Sequence, residues 1–312
     1  MEIMSTTNQP LVSVIVITYN SSKFVVETLE SARAQTYQNI ELIISDDCST
    51  DNTVEICQEW ISKNRLRFVR VELISVIKNT GIPANCNRGA KMARGTWLKF
   101  IAGDDVLCSN CIKDNIEFVK SNSLVRFVSS RFIYIDQDSR IIENVYDEHI
   151  NLRKHYFALD QKEQLRFYVR IPLFLNSPTF FINRDALIQL NYFDEDLRVY
   201  EDISLVYRCN TSGNKFYFMD QTTIKYRMIT HSISRIKDEV VSKIKISDQK
   251  LIFKKYRAPK LSFFNILDIS VYYDYWLNYH YQGIGSVKGR RLLKMISPLY
   301  WYFLIIKLKC YI

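Results

Sequence analysis

Residues 11–20 read LVSVIVITYN. Leu11 to Thr18 is a near-continuous run of apolar and β-branched side chains without polar alternation, the pattern of a strand buried on both faces, as in a parallel sheet. Outward from it, further strands are expected at Ile40 to Ser45 (IELIIS), Arg67 to Leu73 and Thr96 to Ile101 (TWLKFI). Helical patterns fill the intervals. Lys23 to Gln35 carries Phe24, Val25, Leu29 and Ala32 at helical spacing, with Ser22 as the expected N-cap. Thr53 to Lys63 is a second helix, and Pro83 opens a third that runs to about Arg94, where Gly95 ends it. The order β-α-β-α-β-α-β requires right-handed crossovers and a mostly parallel, doubly wound sheet with helices on both faces. Ligands bind beyond the carboxyl ends of such strands. Thr18-Tyr19-Asn20, Asp46-Asp47 and Gly103-Asp104-Asp105 each follow a strand, so they are expected to converge.

The 312 residues suit one α/β domain with an appended helical region, here divided at 1–235 and 236–312. Between about 124 and 235, extended runs (LVRFVSSRFIYI, PTFFIN, KFYFM, TTIKYRM) alternate with helical stretches at Asp185 to Leu190 and Asp202 to Cys209. With 47% hydrophobic and 24% charged residues, the chain is neither disordered nor membrane-embedded. The formal charge of +9 favours phosphate-rich ligands or an anionic membrane surface. Its basic clusters lie late, from Lys243 to Lys260 and from Lys288 to Lys294. The apolar stretch Pro298 to Ile306 is far short of the ~20 residues of a spanning helix. Its aromatic and basic mix suits a helix lying in a membrane interface, against the alternative of a helix packed on the domain. Seven scattered cysteines and an N-terminus without a signal-peptide pattern point to a reducing, cytoplasmic compartment. Cys108 and Cys111 form a C-x-x-C that lacks the second pair of ligands a zinc site needs.

The acidic loops among those expected to converge, Asp46-Asp47 and Gly103-Asp104-Asp105, repel one another at one sheet edge unless a cation or a set of donors is present. Mg2+ and Mn2+ prefer hard oxygen ligands and bridge carboxylates to substrate phosphates, which implies a diphosphate substrate. No P-loop and no G-x-G-x-x-G competes for that role.

With their order, VSVIVITYNSSKFVVETLESARAQTYQNIELIISDDCSTDNT at 12–53 and NTGIPANCNRGAKMARGTWLKFIAGDDVL at 79–107 resemble the nucleotide-binding half of family 2 glycosyltransferases. The resemblance implies a GT-A fold and inverting transfer from a nucleotide diphosphate sugar, usually a UDP-sugar. The acceptor would be a hydroxyl of a glycan or polyprenol-linked acceptor in bacterial surface polysaccharide synthesis, on the inner face of the plasma membrane. Thr18, Tyr19 and Asn20 would line the nucleotide pocket and Asp46 would hydrogen-bond the base. Asn79, Gly81, Asn87, Arg88 and Gly89 would border nucleotide and sugar, with Asn87 and Asp105 counted among the substrate-binding residues. Asp104 retains the last acid of the family's D-x-D, so it would hold Mn2+ or Mg2+, while Ala102 replaces the first acid and loses its ribose contact. NYFDEDLRVYEDI at 191–203 resembles the block whose E-D pair sits beside the acceptor. Asp202 would then be the general base and Glu201 its neighbour, although two acids also suit a helix N-terminus. YRMITHSIS at 226–234 resembles an element that contributes a metal-side histidine, here His231, with Arg227 a candidate for phosphate.

Two other classes share parts of the pattern. A sugar-nucleotide nucleotidyltransferase should have a Gly-rich basic loop after its first strand, and TYNSSKF has no glycine. A catalytically impaired glycan- or nucleotide-binding protein would fit the lost acid at 102 but not the retained Asp104, Glu201 and Asp202. No nucleic-acid partner is expected, and the sequence sets no oligomeric state.

Overall fold

The structure is a computed structural model that describes residues 9–143, 149–172, 175–228, 239–279, 295 and 297–311. Its first half follows the expected order: β1 (Val12–Thr18), α1 (Val25–Arg33), β2 (Ile40–Asp46), α2 (Thr53–Asn64), β3 (Arg70–Ser75), α3 (Ile82–Met92) and β4 (Trp97–Ala102). β1 lies between β2 and β4, parallel to both, and β3 extends the parallel part beyond β2. The absence of polar alternation has a direct cause. Ile15 and Ile43 enter one apolar core, whereas Val14, Val16, Leu42 and Ile44 enter the core on the other face of the sheet. Each buried side chain of this size contributes roughly 1.5–3 kcal/mol relative to exposure. Gly89 lets α3 approach β1, since a Cβ there would stand 2.3 Å from Ile15 Cγ2.

Register aligns the functional ends. Thr18 pairs with Asp46, Asp46 with Ser75, and Ile17 with Ala102. Past β4 the sheet turns mixed, with strand order β3-β2-β1-β4-β7-β6-β8-β5. The added strands are β5 (Val106–Leu107), β6 (Phe127–Ile135), β7 (Phe181–Asn183) and β8 (Phe216–Arg227). β7 runs antiparallel to β4 and β6, and β8 runs parallel to β6. KFYFM and TTIKYRM are therefore one strand, carried past Asp220 and Gln221 by a register shift opposite Ser130 to Phe132.

Three local expectations are corrected. Ser22 does not cap α1; the carbonyl of Ser21 accepts from Phe24 N and Val25 N, while Ser22 N donates to Asp51. Arg67 is not in a strand, because its guanidinium clamps the carbonyls of Arg33, Gln35, Tyr37 and Gln38. Helix α3 stops at Met92, and the chain is already extended at Ala93 before it reaches Gly95.

The remaining helices are α4 (Cys111–Lys120), α5 (Ile150–Ala158), α6 (Gln161–Arg170), α7 (Arg184–Gln189), α8 (Glu201–Thr211), α9 (Glu239–Ile252), α10 (Ile266–Tyr279) and α11 (Pro298–Tyr311). Ile252, Phe253, Val271, Leu299 and Ile306 join the same core as α3 and α8. Helix α11 packs on α5 and α10. No helix among the described residues is long and apolar enough to cross a membrane.

Candidate active site

The carboxyl ends of β1 and β2 are tied together by their own polar residues. Thr18 Oγ1 donates to Asp46 Oδ2 at 2.8 Å, and Ser49 donates to Asp46 from both its N (2.8 Å) and its Oγ (2.5 Å). Asn20 sits at φ 50°, a left-handed conformation that asparagine tolerates. Its N donates to Ser49 Oγ and its Oδ1 accepts from Thr50 N, each at 2.8 Å. Tyr19, by contrast, is 47% exposed. Of these motif residues, Tyr19 has the ring left open for a ligand, while Thr18, Asn20 and Asp46 fix the loops that frame it.

Asp47 organises the next wall. It accepts from Thr80 Oγ1 (2.7 Å), Thr80 N (3.0 Å), Gly81 N (2.8 Å) and Arg88 Nη2 (2.7 Å). Burial alone would raise its carboxyl, but these donors hold it below the ordinary range. Asn87 is 2% exposed and serves as a joint. Its amide meets Phe193 O (2.9 Å), Phe193 N (2.8 Å) and Glu195 Oε1 (2.7 Å), binding α3 to the segment that leads into α8.

At the end of β4, Gly103 lets the turn close on β1, since a Cβ would lie 2.9 Å from Thr18 Cγ2. Asp105 is buried; its Oδ1 accepts from Arg227 N at 2.8 Å, and its Oδ2 has no partner among the described residues. Burial, and then the neighbouring Asp104 charge, push it well above the ordinary value. Asp104 is partly exposed, and burial raises its carboxyl too. Arg227 does not present itself to a phosphate. Its guanidinium is spent on Asp104 O (2.7 Å), Asp136 O and Ser139 Oγ (both 2.9 Å) and Glu27 (2.5 Å), so it fastens the acidic turn from behind.

Helix α8 opens with the second acid pair. Glu201 accepts from Ser177 Oγ at 2.7 Å, and Asp202 accepts from the N of Ile203 at 2.7 Å. Each has little else to offset lost water. Burial, followed by the charge of Asp202, lifts Glu201 to about 8, and burial lifts Asp202 to about 6. Glu201 lines a cavity of about 30 Å3 with Ile17, Cys86, Ala102 and Ser177, which brings its carboxyl to the ends of β1 and β4. Ser177 belongs to a short turn (Ser177–Thr179) whose Pro178 carbonyl accepts from the fully buried Lys99 Nζ at 2.7 Å. Ser177 and Lys99 escape sequence reasoning as site residues, because their roles depend on contacts across long separations. The one local signal is a lysine inside the apolar run TWLKFI.

A divalent cation can be weighed against these donors. Asp104 offers a carboxylate to which no described side chain donates, and Asp105 Oδ2 is an unpartnered buried oxygen beside it. Such a turn fits Mg2+ or Mn2+ that takes its other ligands from a diphosphate and water. Among the described residues, no three His, Cys, Asp or Glu side chains come together as a metal site. His231 lies outside the described residues.

A doubly wound parallel half continued by a mixed sheet, with acidic turns at the β2 and β4 ends, is the GT-A architecture of nucleotide-sugar transferases. Residues 13–190 match the family described as Glycosyl transferase family 2, and the chain belongs to that family of glycosyltransferases. Glycosyltransferase GlyG of Streptococcus pneumoniae serotype 4 is 28% identical over 86% of this chain and 90% of its own length. The Escherichia coli enzyme UDP-Glc:alpha-D-GlcNAc-diphosphoundecaprenol beta-1,3-glucosyltransferase WfaP is 34% identical over 41% of this chain and 48% of its own. Among solved structures, S. aureus TarS 1-349 in complex with UDP-GlcNAc matches 96% of this chain and 89% of that one, with a TM-score of 0.58 at 19% identity.

Proposed function

We propose that this glycosyltransferase moves a sugar from a UDP-sugar to a hydroxyl of a lipid-linked or growing surface glycan, with inversion at the anomeric carbon, in surface polysaccharide synthesis. The observation that carries the reading is the Glu201–Asp202 pair at the start of α8, under-supplied with donors, with Glu201 lining the cavity at the ends of β1 and β4. Support for the donor and acceptor classes comes from WfaP, whose name states UDP-Glc and a diphosphoundecaprenol acceptor, and from the TarS complex.

A sugar hydroxyl is a weak nucleophile at neutral pH. Asp202, raised toward neutrality, takes the hydroxyl proton as the oxygen bonds to the anomeric carbon. The bond to the diphosphate oxygen breaks on the opposite face, and the nucleoside diphosphate leaves. Glu201 stays protonated to higher pH, so it donates a hydrogen bond in the site instead of adding a second charge. Tyr19 stacks on the base, and Thr18, Asn20, Asp46, Asn87 and Asp105 hold the walls around the donor. Mn2+ or Mg2+ held by Asp104, with His231 as the further protein ligand, would offset the charge of the leaving diphosphate. Residues 1–235 form the catalytic region, and 236–312 form a basic extension that keeps the enzyme at the cytoplasmic membrane surface.

Thermal stabilisation by UDP, with and without Mn2+, tests the donor side of the reading. The parent should be stabilised by UDP more strongly with Mn2+, and Asp104→Ala should lose the Mn2+-dependent part. Equal stabilisation of parent and variant in Mn2+ would remove Asp104 from the role.

A further inference from the structure

The net charge of this protein is confined to one region. Residues 236–312 contain 14 Lys and Arg against five Asp and Glu, which accounts for the whole excess of nine; residues 1–235 contain 28 of each sign. A charge asymmetry of this kind points to an anionic partner of the basic part. That part also carries most of the exposed bulk on the described surface. Phe263 is 70% exposed and Phe264 102%, in the loop that joins Lys260 to α10. Along α10, Ile266, Ile269, Tyr273 and Trp276 follow one another at helical spacing, and three of the four are exposed: Ile266 at 62%, Ile269 at 41% and Trp276 at 46%.

This face is the outer one. Val271 on the other side of α10 is buried, and Asp268 is fixed there by Arg170 Nε at 2.7 Å. Phe263 is stacked on Tyr272 at 5.1 Å between centroids, so the loop is held against the helix with Phe264 outermost. Lys254 and Lys260, both exposed, have no carboxylate partner among the described residues, whereas Lys255 nearby is neutralised by Asp194 and Asp196. Exposed aromatic and aliphatic side chains in a region of net positive charge match the two layers of an anionic bilayer surface, apolar below the headgroups and negative at them.

We infer that the Lys260–Phe264 loop and the outer face of α10 dock on an anionic lipid bilayer, with Phe264 and Trp276 entering the interface and Lys254 and Lys260 at the headgroups. Helix α11 has a different part. Leu299 and Ile306 hold it in the core, so it braces α10, and Trp301 and Ile305 are its exposed apolar side chains. This inference deepens the membrane-side placement proposed above, and it stands apart from the chemistry assigned to Asp202.

The test is co-sedimentation of the full chain with phosphatidylcholine vesicles, with and without phosphatidylglycerol, alongside size-exclusion chromatography. Binding should require phosphatidylglycerol and weaken in high salt. Lys254→Glu with Lys260→Glu should reduce it by at least about 25-fold, at roughly fivefold for each lysine. Phe264→Ala with Trp276→Ala should reduce it by at least about tenfold. Phe264→Ala alone, at a side chain with no core contact, controls for folding. All three should keep the parent's melting temperature and UDP release, which separates loss of docking from loss of the enzyme. Equal binding to neutral vesicles, no binding of the parent, or a dimer that Phe264→Ala with Trp276→Ala dissociates would each overturn the inference.

Discussion

Two pairs of adjacent acids, Asp46–Asp47 at the end of β2 and Glu201–Asp202 at the start of α8, live in opposite electrostatic settings. Asp47 has lost its water but gained Thr80, Gly81 and Arg88, and its carboxyl is held low. Glu201 has lost its water and gained one serine hydroxyl, and its carboxyl is held high. The donors gathered on Asp47, against the burial and the neighbouring Asp202 charge that prevail at Glu201, separate them. A carboxylate saturated with donors is committed to the fold; one short of donors keeps the basicity to accept a proton near neutral pH.

Exchanging one acid in each pair should therefore produce different failures. The largest effect is expected from Asp202→Asn, which should slow sugar transfer by about 10²–10⁴-fold while leaving the melting temperature near the parent's. Asp47→Asn should show the reverse emphasis. It strands Arg88 against a neutral partner and should cost about 3–5 kcal/mol in denaturant unfolding, the range for breaking a buried ion pair from one side. If Asp47→Asn melted like the parent, the contrast between the pairs would be broken.

A subtler separation comes from pH. Glu201 has its folded-state value raised from the ordinary 4.5 to about 8, so its ionisation is resisted by the fold. The stability it permits is complete below about 4.5 and is lost as pH rises through about 8. Glu201→Gln should flatten that decline, and melting curves from pH 5 to 9 would reveal it; an unchanged slope would argue against a protonated Glu201. Smallest is Tyr19→Ala. It removes an open ring and should weaken UDP binding by roughly three- to tenfold without altering stability, in calorimetric titration.

Strands β1, β2 and β4 were legible because burial on both faces leaves largely apolar runs, as at Val12–Thr18, whereas the half-buried β3 leaves none. Strand β8 was harder to read, since its bulge places exposed Asp220 and Gln221 in mid-strand. Within the site, the motif order located the loops that follow β1, β2 and β4, but not the Ser177–Thr179 turn beside them. What the motifs could not convey is which polar atoms are spent internally. Arg227 reads in sequence as a free cation beside a phosphate site, yet four oxygen partners consume it. Asn87 reads as a ligand contact, yet it pins Phe193 and Glu195, more than a hundred residues away. Such bonds join positions distant in sequence, and neither spacing nor propensity records them.

The central claim, that Asp202 is basic enough to accept the acceptor's proton, is tested most directly by the pH dependence of transfer by the parent and Asp202→Asn with a UDP-sugar donor. The parent's rate should rise with pH through about 6, where Asp202 ionises. Asp202→Asn should be slower by at least about a hundredfold and lack that rise. A variant with the parent's rate and the same pH profile would contradict the account.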